Sequence, residues 1–245
     1  MVTGGASGLG LSTAQYLTSL GAKVTILDLN FNLAQKVASE IGVYAVECDV
    51  TSEESVQNAL SKIETKNGIP RILVNCAGIS HSSRIVSKKG PMPLKDFEKV
   101  IRINLIGSFN MIRLTAHEIM KLDPLEDGER GVIISTASIA AYEGQIGQVA
   151  YAASKGGINS MVLPAAREFA QFGIRVNAIA PGLFQTPLIE NITKESRDTL
   201  ASKIPFPKRL GLPIEYAKLV SHVIENRYLN GVTIRIDGAL RMEGK

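Results

Sequence analysis

Tyr151 and Lys155 lie four residues apart in the run Tyr151-Ala152-Ala153-Ser154-Lys155. That spacing puts both side chains on one face of a helix. A free phenol, with a pKa of about 10, is a poor base at neutral pH. A neighbouring ammonium favours the phenolate and is expected to lower the phenol's pKa. Tyr151 could then take the proton of a secondary alcohol, or return one to a ketone. Upstream, Ser138 follows the apolar run Gly131–Ala137. Its hydroxyl could hold the substrate oxygen and stabilise charge that develops there. Each residue alone has a plainer reading. Surface helices produce Tyr-x-x-x-Lys by chance, and a serine at a strand end is ordinary turn chemistry.

A second cluster is suited to a nucleotide. Thr3-Gly4-Gly5-Ala6-Ser7-Gly8-Leu9-Gly10 lies between a strand remnant and an amphipathic helix. Glycines in such a turn let the backbone approach a pyrophosphate, and the helix N-terminus offers free N–H groups to its charge. The spacing from Gly4 through Gly8 to Gly10 departs from the dinucleotide G-x-G-x-x-G, so a plain glycine-rich turn remains an alternative. Asp28 ends the second strand, where a carboxylate can bind adenosine ribose hydroxyls and would repel a 2′-phosphate. Leu29 and Asn30 supply no compensating cation, which favours NAD over NADP. Asp49-Val50 closes the third strand and Asn75-Cys76-Ala77-Gly78 the fourth. Asp49 could equally cap the helix that begins near Thr51.

These residues need a scaffold. Apolar runs at Met1–Thr3, Lys23–Leu29, Val43–Asp49, Arg71–Cys76, Gly131–Ala137, Arg175–Ala180 and Val232–Ile236 read as strands covered on both faces. Helical patterns fall near Gly8–Leu20, Asn32–Ile41, Ser52–Lys66, Leu94–Leu122 (expected to be broken), Ala152–Phe172 and Ile214–Glu225. Gly21, Gly42 and Gly173 sit where helices should stop, and Thr51 with Glu54 forms a capping-box pattern. Pro164 should kink its helix. The alternation predicts an α/β fold, a single-domain, doubly wound parallel sheet of Rossmann type. With 245 residues, 45% of them hydrophobic, the chain fits one domain with a full core. The net charge of +4 is compatible with a nucleotide, a coenzyme A ester or RNA without selecting any of them. Cys48 and Cys76 form no disulfide framework and have no metal-ligand spacing. No stretch is apolar for long enough to cross a membrane.

Taken together, Thr3 to Gly10, Asn75 to Gly78, Asn104, Ser138, Tyr151, Lys155 and Pro181-Gly182 resemble the short-chain dehydrogenase/reductase family. The resemblance implies that Tyr151, Lys155, Ser138 and Asn104 are catalytic, with Asn104 holding a water that links Lys155 to solvent. It implies NAD contacts at Gly4, Ser7, Gly8, Leu9, Gly10, Asp28, Asp49, Val50, Cys76, Ala77, Gly78, Tyr151, Lys155, Pro181, Phe184 and Thr186. The runs Ser138–Gly157, Ala180–Leu188, Ile204–Gly211 and Leu229–Met242 resemble a mitochondrial branch of that family. This closer likeness implies oxidation of short or branched 3-hydroxyacyl-CoA esters, some steroid activity, a homotetramer, and a further role beside a tRNA methyltransferase in tRNA processing. The sequence has no RNA-binding motif of its own. The likeness implies a mitochondrial location, with cytoplasmic as the alternative, and no targeting segment is visible either way. Family members carry further residues ahead of the position of Thr3. Only Met1 and Val2 stand there, so either residues precede Met1 or a short first strand weakens NAD binding.

On the substrate side, Leu183–Leu212 reads as a mobile lid. Gln145 is a candidate substrate contact, with loop solvation as the alternative. Arg84, Lys88 and Lys89 could meet coenzyme A phosphates or simply form a solvated loop.

Overall fold

The computed structural model describes residues 1–187 and 193–244. β1 (Val2–Thr3) passes through the glycine-rich turn into α1 (Gly8–Ser19). The alternation continues with β2 (Thr25–Asp28), α2 (Phe31–Ile41), β3 (Tyr44–Glu47), α3 (Glu53–Asn67) and β4 (Ile72–Asn75). A small hairpin of β5 (Val86–Ser87) and β6 (Gly90–Pro91) precedes α4 (Leu94–Ile101) and α5 (Gly107–Ile119). The remaining elements are β7 (Gly131–Thr136), α6 (Val149–Phe169), β8 (Ile174–Pro181), α7 (Lys194–Ser202), α8 (Pro213–Glu225) and β9 (Thr233–Ile236). Part of the expected lid, residues 188–192, lies outside the described residues.

Seven strands form one parallel sheet in the order β3-β2-β1-β4-β7-β8-β9. Its apolar strands feed two cores, as expected of a sheet covered on both faces. Leu73 and Ile133 pack with Ile63 of α3 and Met111 of α5. Their neighbours Val74, Val132 and Ile134 point the other way, toward Ala14 of α1, Val37 of α2 and Val220 of α8. From β1 the chain builds outward to β2 and β3, then crosses to β4 on the other side. That reversal opens a crevice beyond the carboxyl ends of the strands, where open α/β sheets bind ligands. β1 has only two residues, yet Val2 pairs with both Ile26 and Val74.

Several local expectations need correction. The N-cap of α3 is Ser52, whose Oγ accepts from Ser55 N–H at 3.2 Å. Thr51 is not the cap, because its hydroxyl and N–H both donate to Asp49 Oδ1 at 2.8 Å. α6 begins at Val149 rather than Ala152 and runs on as a helix through Pro164. The expected break after Leu94 is real. It takes the form of a π-helical turn, Arg102–Ile106, between α4 and α5, a feature often found where a helix serves a functional site.

Candidate active site

The expected nucleotide residues gather at the carboxyl edge of the sheet. Ser7 precedes α1 in extended conformation and makes no side-chain cap, which leaves the first N–H groups of α1 open to an anion. A Cβ on Gly10 would overlap the carbonyl oxygen of Gly4, so this tight turn requires glycine at that position. Asp28 steadies the turn from β2: Oδ2 accepts from Ala6 N–H at 3.1 Å and Oδ1 from Asn30 N–H at 3.0 Å. Its carboxylate keeps lone pairs for ribose hydroxyls. Thr3 Oγ1 accepts from the N–H groups of both Cys76 and Ala77 at 3.1 Å, fixing the wall that follows β4. Val50 is buried under α5, and its carbonyl accepts from Asn110 Nδ2 at 2.9 Å. Asp49 does not cap α3, the alternative read from sequence, since Ser52 is the N-cap; its Oδ1 instead accepts from Thr51 N–H and hydroxyl in the turn ahead of the helix. A Cβ built on Gly8 would lie 3.6 Å from Thr186 Cβ, so the segment after β8 reaches the glycine-rich turn. Cleared backbone, open helix terminus and ribose-facing carboxylate together fit a dinucleotide.

Ser138 sits just beyond β7 and opens a short 3₁₀ turn, accepting from Ala140 N–H at 3.1 Å. Tyr151 and Lys155 rise from the first turns of α6. Lys155 is buried, donates from Nζ to the carbonyl of Thr136 at 2.6 Å, and lies 5.7 Å from the centre of the Tyr151 ring. Burial brings its ammonium down to about 8, opposed by the nearby Cys76 thiol. The direction expected for Tyr151 is reversed. Burial pushes its phenol up, and the influence that pulls it down is the hydrogen bond with Ser138. Lys155 Nζ is bonded to the Thr136 carbonyl rather than to the phenol, and burial is the larger influence on Tyr151.

Asn104 lies in the π-turn and is fully buried. Its Oδ1 accepts from Ile79 N–H at 2.8 Å, while Nδ2 donates to Ile79 O at 2.9 Å and Ser154 Oγ at 3.0 Å. The side-chain amide therefore clamps the segment after Gly78 against α6. A Cβ on Gly78 would lie 3.2 Å from Asn104 Oδ1 and 3.7 Å from Lys155 Nζ, so all three share one corner. Pro181 ends β8, and Phe184 is buried in the core against Gly211, which leaves its backbone rather than its ring toward the crevice.

Gln145 turns toward the C-terminal tail, donating to Glu243 O at 3.2 Å. It lines a cleft of about 570 Å³ with Leu183, Leu200, Lys203 and Met242. Lys88 and Lys89 form the exposed tip of the β5–β6 hairpin, and just before it Ser83 N–H donates to Gly147 O at 2.8 Å, in the loop between Ser138 and Tyr151. Among the described residues no His, Cys, Asp and Glu cluster could hold a metal ion. Sequence reasoning gave no role to Thr136 or Ser154, and it named Thr3 only as the head of the glycine-rich turn.

A model of the short chain dehydrogenase family matches residues 1–197. The chain is similar to 3-hydroxyacyl-CoA dehydrogenase type-2 of Bos taurus and of Homo sapiens. Each is 51% identical over 247 residues, covering 99% of this chain and 95% of the relative. The crystal structure of 3-hydroxyacyl-CoA dehydrogenase type-2 from Mycobacterium avium aligns with a TM-score of 0.95 at 43% identity, covering 100% of this chain and 96% of that one.

Proposed function

This chain belongs to the short-chain dehydrogenases, an oxidoreductase family, and on that premise we propose that it oxidises short and branched 3-hydroxyacyl-CoA esters to 3-ketoacyl-CoA esters with NAD. The observation that carries this reading is the convergence of Ser138, Tyr151 and Lys155 beyond β7, in a chain half identical to relatives named for that reaction. Ser138 and Tyr151 hydrogen-bond the 3-hydroxyl of the substrate. Tyr151, as phenolate, takes the hydroxyl proton while the C3–H bond breaks and C3–O becomes a carbonyl. NAD, when bound, accepts the hydride that leaves C3. The Lys155 ammonium stabilises the phenolate, and Asn104 holds the wall beside it. The open N-terminus of α1 would hold the pyrophosphate and Asp28 the adenosine ribose, with Val50, Cys76 to Gly78, Pro181, Phe184 and Thr186 lining the path between them.

The cleft at Gln145 would take the acyl-pantetheine part, and Lys88 and Lys89 the coenzyme A phosphates. The test is a substrate panel: acetoacetyl-CoA with NADH against a 17-ketosteroid with NADH, and each again with NADPH. The acyl-CoA ester with NADH is expected to lead in kcat/KM by about tenfold or more. A steroid preference would move the reading to a hydroxysteroid dehydrogenase, and a preference for NADPH would remove the role given to Asp28.

The resemblance extends the proposal to a homotetramer, a mitochondrial location and a second role beside a tRNA methyltransferase. Ile106 and Phe109, about half exposed, offer an apolar contact near the start of α5. Co-purification with the methyltransferase should survive Tyr151→Phe. Its loss in that variant would count against a role independent of the chemistry.

A further inference from the structure

Behind the reacting groups a hydrogen-bond chain crosses the sheet. Thr136 ends β7, and its main-chain carbonyl accepts from Lys155 Nζ at 2.6 Å. Its hydroxyl lies 2.6 Å from the carbonyl oxygen of Asn75 and 2.7 Å from the Tyr216 hydroxyl. A threonine hydroxyl has one proton to give. The Asn75 carbonyl can only accept, so Thr136 donates there and Tyr216 donates to Thr136. Tyr216 comes from α8, on the face of the sheet opposite α5, and is fully buried. A buried phenol needs a partner for its O–H, and here the partner is the residue that holds the lysine.

We infer that Tyr216 is a positioning residue for the reaction, acting through Thr136 to hold Lys155 at the distance from Tyr151 that the proton transfer requires. The inference rests on the reading of Tyr151 and Lys155 given above. Three attachments immobilise Thr136: its strand pairing with Ile179, its bond to Asn75 and the bond from Tyr216. The bonds from Tyr216 to Thr136 and from Thr136 to Asn75 polarise one another, so losing the first weakens the hold on the Thr136 side chain. The carbonyl that receives Lys155 belongs to the same residue, so freedom of the Thr136 side chain reaches the ammonium directly. The other titratable groups facing Lys155 are Tyr151 from its own helix and Cys76 from the turn after β4. Cys76 Sγ also touches this chain, 3.8 Å from Tyr216 Oη and 3.6 Å from Thr136 Oγ1.

Tyr216→Phe removes one oxygen and keeps the ring that fills the core. The expected result is a fall in kcat of about fivefold or more, with the KM for the acyl-CoA ester changed by less than about twofold, because the interaction acts on the transition state. Thr136→Val, which keeps the carbonyl, should give a similar loss, and the double variant should lose little more than either single one. Lysine side-chain NMR of the protein without substrate or cofactor gives an independent readout, the Lys155 signal being assigned by its loss in Lys155→Arg. In Tyr216→Phe the Lys155 midpoint should move down, since the ammonium loses a firmly held acceptor. An unchanged or raised midpoint would overturn the inference, as would additive losses in the double variant. The NMR arm does not depend on turnover. Failure of wild-type dehydrogenase activity, with the Lys155 midpoint still lowered in Tyr216→Phe, would sink the functional reading and leave the coupling of Tyr216 to Lys155 standing.

Discussion

Lys155 has a measurable cost for the fold. Its folded pKa is about 8 against an ordinary 10.5, so between those values the unfolded chain binds more protons than the native one. Stability from this group therefore rises as pH rises through that window. Below about 8 both states hold the proton, and the full penalty of the buried ammonium remains. Denaturant titrations of wild type and Lys155→Met should diverge accordingly. Wild type is expected to gain on the order of 3 kcal/mol on the variant between pH 8 and 10.5. A difference independent of pH would show that Lys155 is not desolvated. The same residue shows where reading from sequence stops. Spacing alone placed Tyr151 and Lys155 on one helix face. It could not reveal that the Thr136 carbonyl, 19 residues away, accepts the lysine's hydrogen bond, or that burial governs the phenol.

The turn from β1 into α1 has little tolerance. A methyl on Gly10 would collide with the Gly4 carbonyl, so the turn must open and the first N–H groups of α1 must swing away from a pyrophosphate. Gly10→Ala should weaken NAD binding by about a hundredfold, measured by NADH fluorescence titration, with a smaller loss of melting temperature. Unchanged affinity would mean that this turn does not carry the phosphates. The turn and the strands were legible in the sequence because apolar runs and glycine punctuation are local signals. The π-turn at Arg102–Ile106 was legible only as an unspecified break, since it arises where α4 and α5 must bring Asn104 to Ile79. The Thr51 cap was misread because Asp49, two residues back, captures its hydroxyl. The Thr136–Tyr216 bond joins positions 80 residues apart, and no periodicity announces it.

Across the whole molecule, the C-terminal tail ties the loop after Ser138 to the segment that ends α7. Arg235 of β9 binds Glu143 through two bonds of 2.7 and 2.9 Å and also pairs with Asp237 at 2.7 Å. Lys203, just beyond α7, reaches Glu243 at 2.7 Å, and Gln145 holds the carbonyl of the same glutamate. The cleft that would take the acyl group is thus bounded by three segments distant in sequence, of which the sequence suggested Gln145 and the run Leu183–Leu212 but not the C-terminal tail. In the proposed function the scaffold serves one chemical event at Tyr151. NADH formation on mixing the protein with NAD and a short 3-hydroxyacyl-CoA ester measures that event, with Tyr151→Phe run beside it. Saturable NADH formation is expected, falling by about a thousandfold in the variant while NAD binding persists. Full activity in Tyr151→Phe, or no NADH from a wild-type protein that binds NAD, would contradict the assignment.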